Sequence, residues 1–150
     1  MEEVLAKLKQ TYKLKAEFLG PDSARGEAQR GKLLGRTITW GKDGLTWTGD
    51  TKLVTEMLRD WDMGDSNGAH TPGANEDETD ERLQPMSLQD SARYRSSAAK
   101  LNYASLDNPR IAFAAKEASR VMSAPDQRDE PKIKRLLRFL SQGTGRGLRI

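Results

Sequence analysis

The 150-residue sequence contains no cysteine and only one histidine, His70. The absence of cysteine excludes disulfides, a thiol nucleophile and thiolate metal ligands, and a lone histidine leaves little scope for other metal or triad chemistry. No apolar run approaches the length needed to cross a bilayer, and the first residues lack the basic and then apolar layout of a secretory signal. We therefore expect an intracellular protein, cytoplasmic or nuclear, without a membrane partner.

Charge is distributed unevenly along the chain, although the net charge is only +3. Five acids lie between Glu76 and Glu81, whereas the stretch from Lys132 to Arg149 holds six bases and no acid. A basic end of this kind indicates a polyanionic partner. On charge alone, a solvated helix face explains it equally well.

The hydrophobic pattern predicts an α+β fold with an N-terminal helix and a β-hairpin, followed by a mainly helical bundle. Apolar spacing predicts a helix over residues 2–13, and alternation predicts a strand over 13–18. Residues 32–40 and 45–48 are rich in threonine, isoleucine and tryptophan, and they predict a hairpin around the glycine-containing turn 41–44. On its first strand Leu34, Arg36, Ile38 and Trp40 should share one face.

The second half of the chain predicts helices separated by one polar segment. Asp50 or Thr51 can cap a helix that ends near Gly64, and residues 65–85 are too polar to pack, which makes them a loop or linker. Three further helices are predicted over about 87–106, 109–122 and 131–142, the second capped by Asp107 or Asn108. Residues 147–150 resemble the start of a strand.

Several short motifs in the helical half resemble the thumb of a Ty1/copia-type retrotransposon reverse transcriptase. They are Tyr94-Arg95-Ser96, Leu101-Asn102-Tyr103, Arg110-Ile111-Ala112-Phe113-Ala114, Ser119-Arg120-Val121-Met122 and Leu137-Arg138-Phe139-Leu140. The resemblance implies a fragment of the polyprotein. Residues 1–49 would form the end of the palm with its primer-grip hairpin. Residues 50–142 would form the thumb and connection, with the acidic loop at about 65–85. Residues 143–150 would lead into an RNase H domain.

The first thumb-like helix carries the main candidate for nucleic-acid contact. Arg95, Ala99 and Tyr103 recur at four-residue spacing, with Asn102 beside them. They lie opposite the predicted core stripe, which is Tyr94, Ala98 and Leu101. A small residue between an arginine and an aromatic gives a flat patch that a sugar–phosphate groove can approach. The resemblance implies that this face reads the shape of an RNA–DNA or DNA template–primer duplex, with little sequence preference.

Two further groups complete the candidate contact residues. The hairpin segment Leu34-Gly35-Arg36 is similar to the reverse-transcriptase primer grip, in which Gly35 would permit close backbone approach and Arg36 would supply charge. The last helix would add basic side chains from Lys132, Arg135 and Arg138.

The polymerase reaction itself needs carboxylates that hold two Mg²⁺ ions, and the family's tyrosine-x-aspartate-aspartate motif does not occur in this sequence. The resemblance therefore implies a part of the polymerase that holds template–primer and has no cofactor of its own. Its partners would be the remaining palm, fingers and RNase H domains of the polyprotein. Mg²⁺ would be a cofactor of the parent polymerase only. In the parent element this would be a cytoplasmic, particle-associated protein.

Three alternatives remain open at this point. The basic last helix could enter a major groove as the reading element of a small DNA-binding module, which predicts strong sequence preference. The chain could be a protein-interaction domain, which predicts no salt-dependent binding to duplexes. It could also be a decayed element that has no activity.

Overall fold

A computed structural model describes residues 2–22, 25–73, 85–143 and 148–149. It confirms the predicted α+β organisation. The elements in chain order are α1 (Glu2–Thr11), β1 (Arg30–Leu33), β2 (Arg36–Gly41), β3 (Gly44–Thr48), α2 (Thr51–Asp60), α3 (Leu88–Ser105), α4 (Ala112–Arg120), α5 (Glu130–Ser141) and β4 (Leu148–Arg149). Short 3₁₀ helices, Pro109–Ile111 and Gln127–Asp129, precede α4 and α5.

The sheet is antiparallel, and its strands lie in the order β1-β2-β3-β4. Two-residue turns join the first three strands, at Leu34-Gly35 and at Lys42-Asp43. Leu34 and Gly35 both have positive φ, 49° and 79°, as the tight type I′ hairpin turn requires. The predicted single strand over residues 32–40 is therefore wrong, because the chain reverses at Leu34 and forms two strands.

Two other strand predictions have opposite outcomes. Residues 13–18 form no strand, because their alternating side chains find no neighbouring strand, and only Leu19 makes an isolated bridge, to Ala28. The short strand predicted near the C-terminus does form as β4. It pairs with β3, with Leu148 opposite Trp47, so this segment folds back onto the hairpin.

The hydrophobic core lies among the four helices α2 to α5. Each helix contributes buried residues that recur three or four positions apart. Those buried on α2 and α3 are Val54, Met57, Tyr94, Ala98 and Leu101, and those on α4 and α5 are Ala115, Ala118, Ile133, Leu136, Leu137, Phe139 and Leu140. Among the described residues, no helix is both long and apolar enough to cross a bilayer.

Buried polar contacts fix how α2 and α4 pack against α3. The indole Nε1 of Trp61, just after α2, donates to the Ser97 hydroxyl at 2.7 Å, and both groups are buried. The Tyr94 hydroxyl donates to the carbonyl of Ala118 at 2.9 Å, near the end of α4 where backbone carbonyls lack helical partners. Burial raises the pKa of Tyr94, and the negative charges of Asp129 and Asp126 raise it further.

The first part of the predicted polar loop is bound to α5. The backbone N–H of Ala69 donates to the carbonyl of Arg138 at 3.2 Å, and Arg135 donates to Gly73 and Thr71. Residues 65–73 therefore pack against the bundle through main-chain and side-chain hydrogen bonds. The acidic residues 76–81 lie outside the described part of the chain.

Candidate nucleic-acid interface

One face of α3 is free of core contacts, as its sequence predicts. Arg95, Ala99, Asn102 and Tyr103 are all exposed, while Tyr94, Ala98 and Leu101 on the opposite side are fully buried. The division follows from the 3.6-residue period, which places residues three and four apart on the same side. Leu106, one turn beyond Tyr103, is 68% exposed and extends this α3 face at its C-terminal end.

The β1–β2 turn lies against the C-terminal end of the α3 face. The Tyr103 hydroxyl donates to the carbonyl of Leu34 at 3.2 Å, across 69 residues of sequence. The Leu34 side chain stays 76% exposed at the tip of the turn. The fold thus brings together two of the groups that the sequence analysis named separately, the hairpin segment and the exposed helix face.

The charged side chain of Arg36 is buried and not exposed to solvent. It is only 9% exposed, and its Nε donates to Asp107 Oδ1 at 2.7 Å. Its guanidinium also lies over the rings of Tyr103, 4.6 Å from the centroid, and Trp47, at 5.8 Å. The hydrogen bond to Asp107 raises the pKa of Arg36. The expectation that Arg36 supplies charge to a phosphate is therefore corrected, because an internal carboxylate already neutralises that charge.

Asp107 belongs to a buried polar cluster and not to a helix cap. Of the two predicted cap residues for the helix after α3, Asp107 and Asn108, the first has a carboxylate that instead accepts from Arg36 and, at 2.9 Å, from the indole Nε1 of Trp47. Asn108 occupies the cap position, without a side-chain hydrogen bond. Gly49 leaves room for the contact, since a Cβ at that position would lie 2.9 Å from the Cβ of Asp107. Asp107 therefore joins the sheet to the end of α3.

The basic residues of α5 are not part of this cluster. Lys132 forms an ion pair with Asp129 at 3.1 Å, and Arg135 holds residues 71–73. Arg138 is exposed, but it stands on a helix whose other side chains are mostly buried or half-buried. The expectation that the last helix adds basic side chains to the contact surface is corrected, because five buried apolar residues place α5 in the centre of the bundle.

Arg95 supplies positive charge on the α3 face. Its Nε donates to the carbonyl of Met122 at 3.0 Å, which fixes the side chain, and within the described ranges it pairs with no carboxylate. The described residues also contain no cluster of three or more histidines or acids that could hold a metal ion.

Comparison with known proteins identified no relative of this chain. No family model, no curated protein and no solved structure matches this chain.

Proposed function

We propose that this chain binds the backbone of a nucleic-acid duplex, as the template–primer-holding part of a Ty1/copia-like reverse transcriptase. The observation that carries the proposal is the hydrogen bond between Tyr103 and Leu34. It makes the hairpin turn and the exposed α3 face a single surface.

The side chains on this surface suit a sugar–phosphate backbone. Ala99 is exposed and small, so a groove edge can approach the helix closely. Asn102 and Tyr103 offer hydrogen bonds and a ring surface, and Arg95 offers a positive charge that no carboxylate among the described residues pairs with. Contacts of these types go to phosphates and sugars and carry little sequence information. The exposed Leu34 at the turn adds an apolar tip of the kind that minor-groove proteins use.

The packing of α5 disfavours a sequence-reading major-groove module. A recognition helix must expose a whole face to base edges. On α5 only Pro131 and Arg138 are exposed, and Lys132 and Lys134 form ion pairs with Asp129 and Glu130.

A protein-interaction domain is the second candidate, favoured by the exposure of large apolar side chains. Phe113 is 76% exposed and Leu106 is 68% exposed. Scattered exposed apolar residues are common on soluble proteins, and these two give no indication of which partner would cover them. The salt dependence of duplex binding distinguishes the two candidate functions. Contacts to phosphates weaken as the salt concentration rises, whereas an apolar contact with a protein has little salt dependence.

The test is fluorescence anisotropy with a labelled RNA–DNA hybrid. We expect Ala99→Leu to weaken binding, because the larger side chain blocks close approach while it leaves the core stripe untouched. Arg95→Ala should lower both the affinity and the slope of log K against log salt, the latter by about 0.9 for one phosphate contact.

The matched control is Ala6→Leu, the same substitution at an exposed position of α1. Circular dichroism confirms that each variant folds. If the folded Ala99→Leu protein binds the hybrid as tightly as the parent, the α3 face does not contact the duplex and the proposal is wrong.

A further inference from the structure

The two faces of the sheet differ sharply in chemistry. Arg36, Ile38, Trp40, Leu45 and Trp47 lie on the face where Arg36 and Trp47 reach Asp107 on the helical half. Side chains alternate along a strand, so the residues between them lie on the opposite face. That opposite face contains only basic residues and threonines from the first three strands, apart from the glycine pair that closes the second turn.

The register arranges these residues in two rows across the sheet. In the first row Arg30 is opposite Thr39, and Thr39 is opposite Thr46. In the second row Lys32 is opposite Thr37, and Thr37 is opposite Thr48. Each row thus runs from one base on the outer strand β1 to two hydroxyls on the inner strands. We call these six residues the hydroxyl face.

Among the described residues, no acid balances the charge of the hydroxyl face. Arg30 and Lys32 are exposed, and within the described ranges neither pairs with a carboxylate. No acid lies on this face of the three strands, and the four threonines are half-buried beside one another, with no side-chain hydrogen bond in the described part of the chain. Phosphate oxygens are the acceptors that guanidinium, ammonium and hydroxyl donors share.

The spacing of the rows also fits a phosphodiester backbone. Residues two apart on a strand are separated by about 6.6–6.8 Å, so the two rows present donors at a regular interval close to that of successive phosphates along a strand. We infer that the hydroxyl face is a second contact surface for a phosphodiester backbone. It lies on the side of the sheet away from Asp107. The inference deepens the proposed function, on which it rests, because it assigns a further stretch of nucleic acid to the same protein.

Two variants test the charge and the hydroxyls separately. Arg30→Gln/Lys32→Gln should lower the salt slope of hybrid binding by about 1.8, at about 0.9 per phosphate. Thr37→Val/Thr39→Val keeps the β-branched shape and removes two hydroxyls, so the affinity should fall about tenfold with the slope unchanged. The charge-matched control is Lys9→Gln/Lys13→Gln, which removes two exposed lysines from α1 and the segment after it.

The outcomes distinguish this inference from the proposed function. If Ala99→Leu weakens binding while Arg30→Gln/Lys32→Gln has no more effect than its control, the duplex binds only at α3, and the threonines reflect the strand preference of β-branched residues. If the hydroxyl-face variants weaken binding and Ala99→Leu does not, the sheet is the contact surface and the α3 assignment fails. If the parent protein binds no nucleic acid, both fail.

Discussion

The buried hydrogen bond between Trp61 and Ser97 allows a quantitative test of how α2 is held against α3. Removal of the acceptor by Ser97→Ala leaves the indole N–H buried, since Trp61 is only 5% exposed. A buried donor without a partner costs about 1–3 kcal/mol. Alanine also favours helix over serine by up to about 0.5 kcal/mol, which offsets part of this cost. The net loss in free energy of unfolding should therefore be about 0.5–2.5 kcal/mol.

Ser96→Ala is the matched control, because Ser96 is the exposed neighbour on the same helix. It carries the same gain in helix propensity and no buried contact, so it should change stability by less than about 0.5 kcal/mol. The difference between the two variants isolates the hydrogen bond at about 1–3 kcal/mol. For a chain of this length, a loss of about 2 kcal/mol lowers Tm by about 4–8 °C.

The assay is urea unfolding followed by far-ultraviolet circular dichroism, which avoids the change in fluorescence that a tryptophan variant introduces. Trp61→Phe and the double variant complete a thermodynamic cycle. Phenylalanine has no N–H that could be left without a partner. Ser97→Ala should therefore lower the free energy of unfolding much less in the Trp61→Phe background, which gives a coupling energy of about 1 kcal/mol. Equal stabilities for Ser97→Ala and Ser96→Ala, or strictly additive costs in the cycle, would show that this contact does not hold the two helices together.

Two further predictions concern the other buried polar groups. Asp107→Asn should loosen the sheet from α3, because an amide cannot balance the Arg36 guanidinium. Exchange of the paired backbone amides of β2 and β3 should speed up, and rates like those of the control Asp62→Asn would contradict the role given to Asp107. Since the pKa of Tyr94 is raised above its ordinary value of 10.0, the stability it contributes is complete below pH 10 and is lost as the pH rises above it. Between pH 10 and pH 11.5, the free energy of unfolding of the Tyr94→Phe variant should therefore fall less steeply than that of the parent protein. A pH profile identical to that of the parent would contradict this.

The sequence alone determined those features that depend on neighbours a few residues apart. The helical spacing of Tyr94, Ala98 and Leu101 correctly predicted the buried side of α3 and, with it, the exposure of Ala99 and Tyr103. The predicted start of this helix near residue 87 is also confirmed, and the Ser87 hydroxyl caps α3 there by accepting from the backbone N–H of Asp90. A helix period and a cap are local properties, because they are set by backbone geometry within one or two turns.

Only the tertiary structure decided which charges remain available. Arg36 and Asp107 are 71 residues apart, and nothing near either residue indicates that they form a buried pair. The bases of α5 have the same local pattern as a solvated helix face, yet the apolar stripe beneath them places that helix in the centre of the bundle. The position of Arg30 and Lys32 beside the threonines likewise depends on the β1–β2 register that the turn at Leu34 sets. Partners distant in sequence are chosen by packing of the whole chain, so their identity becomes visible only in the fold.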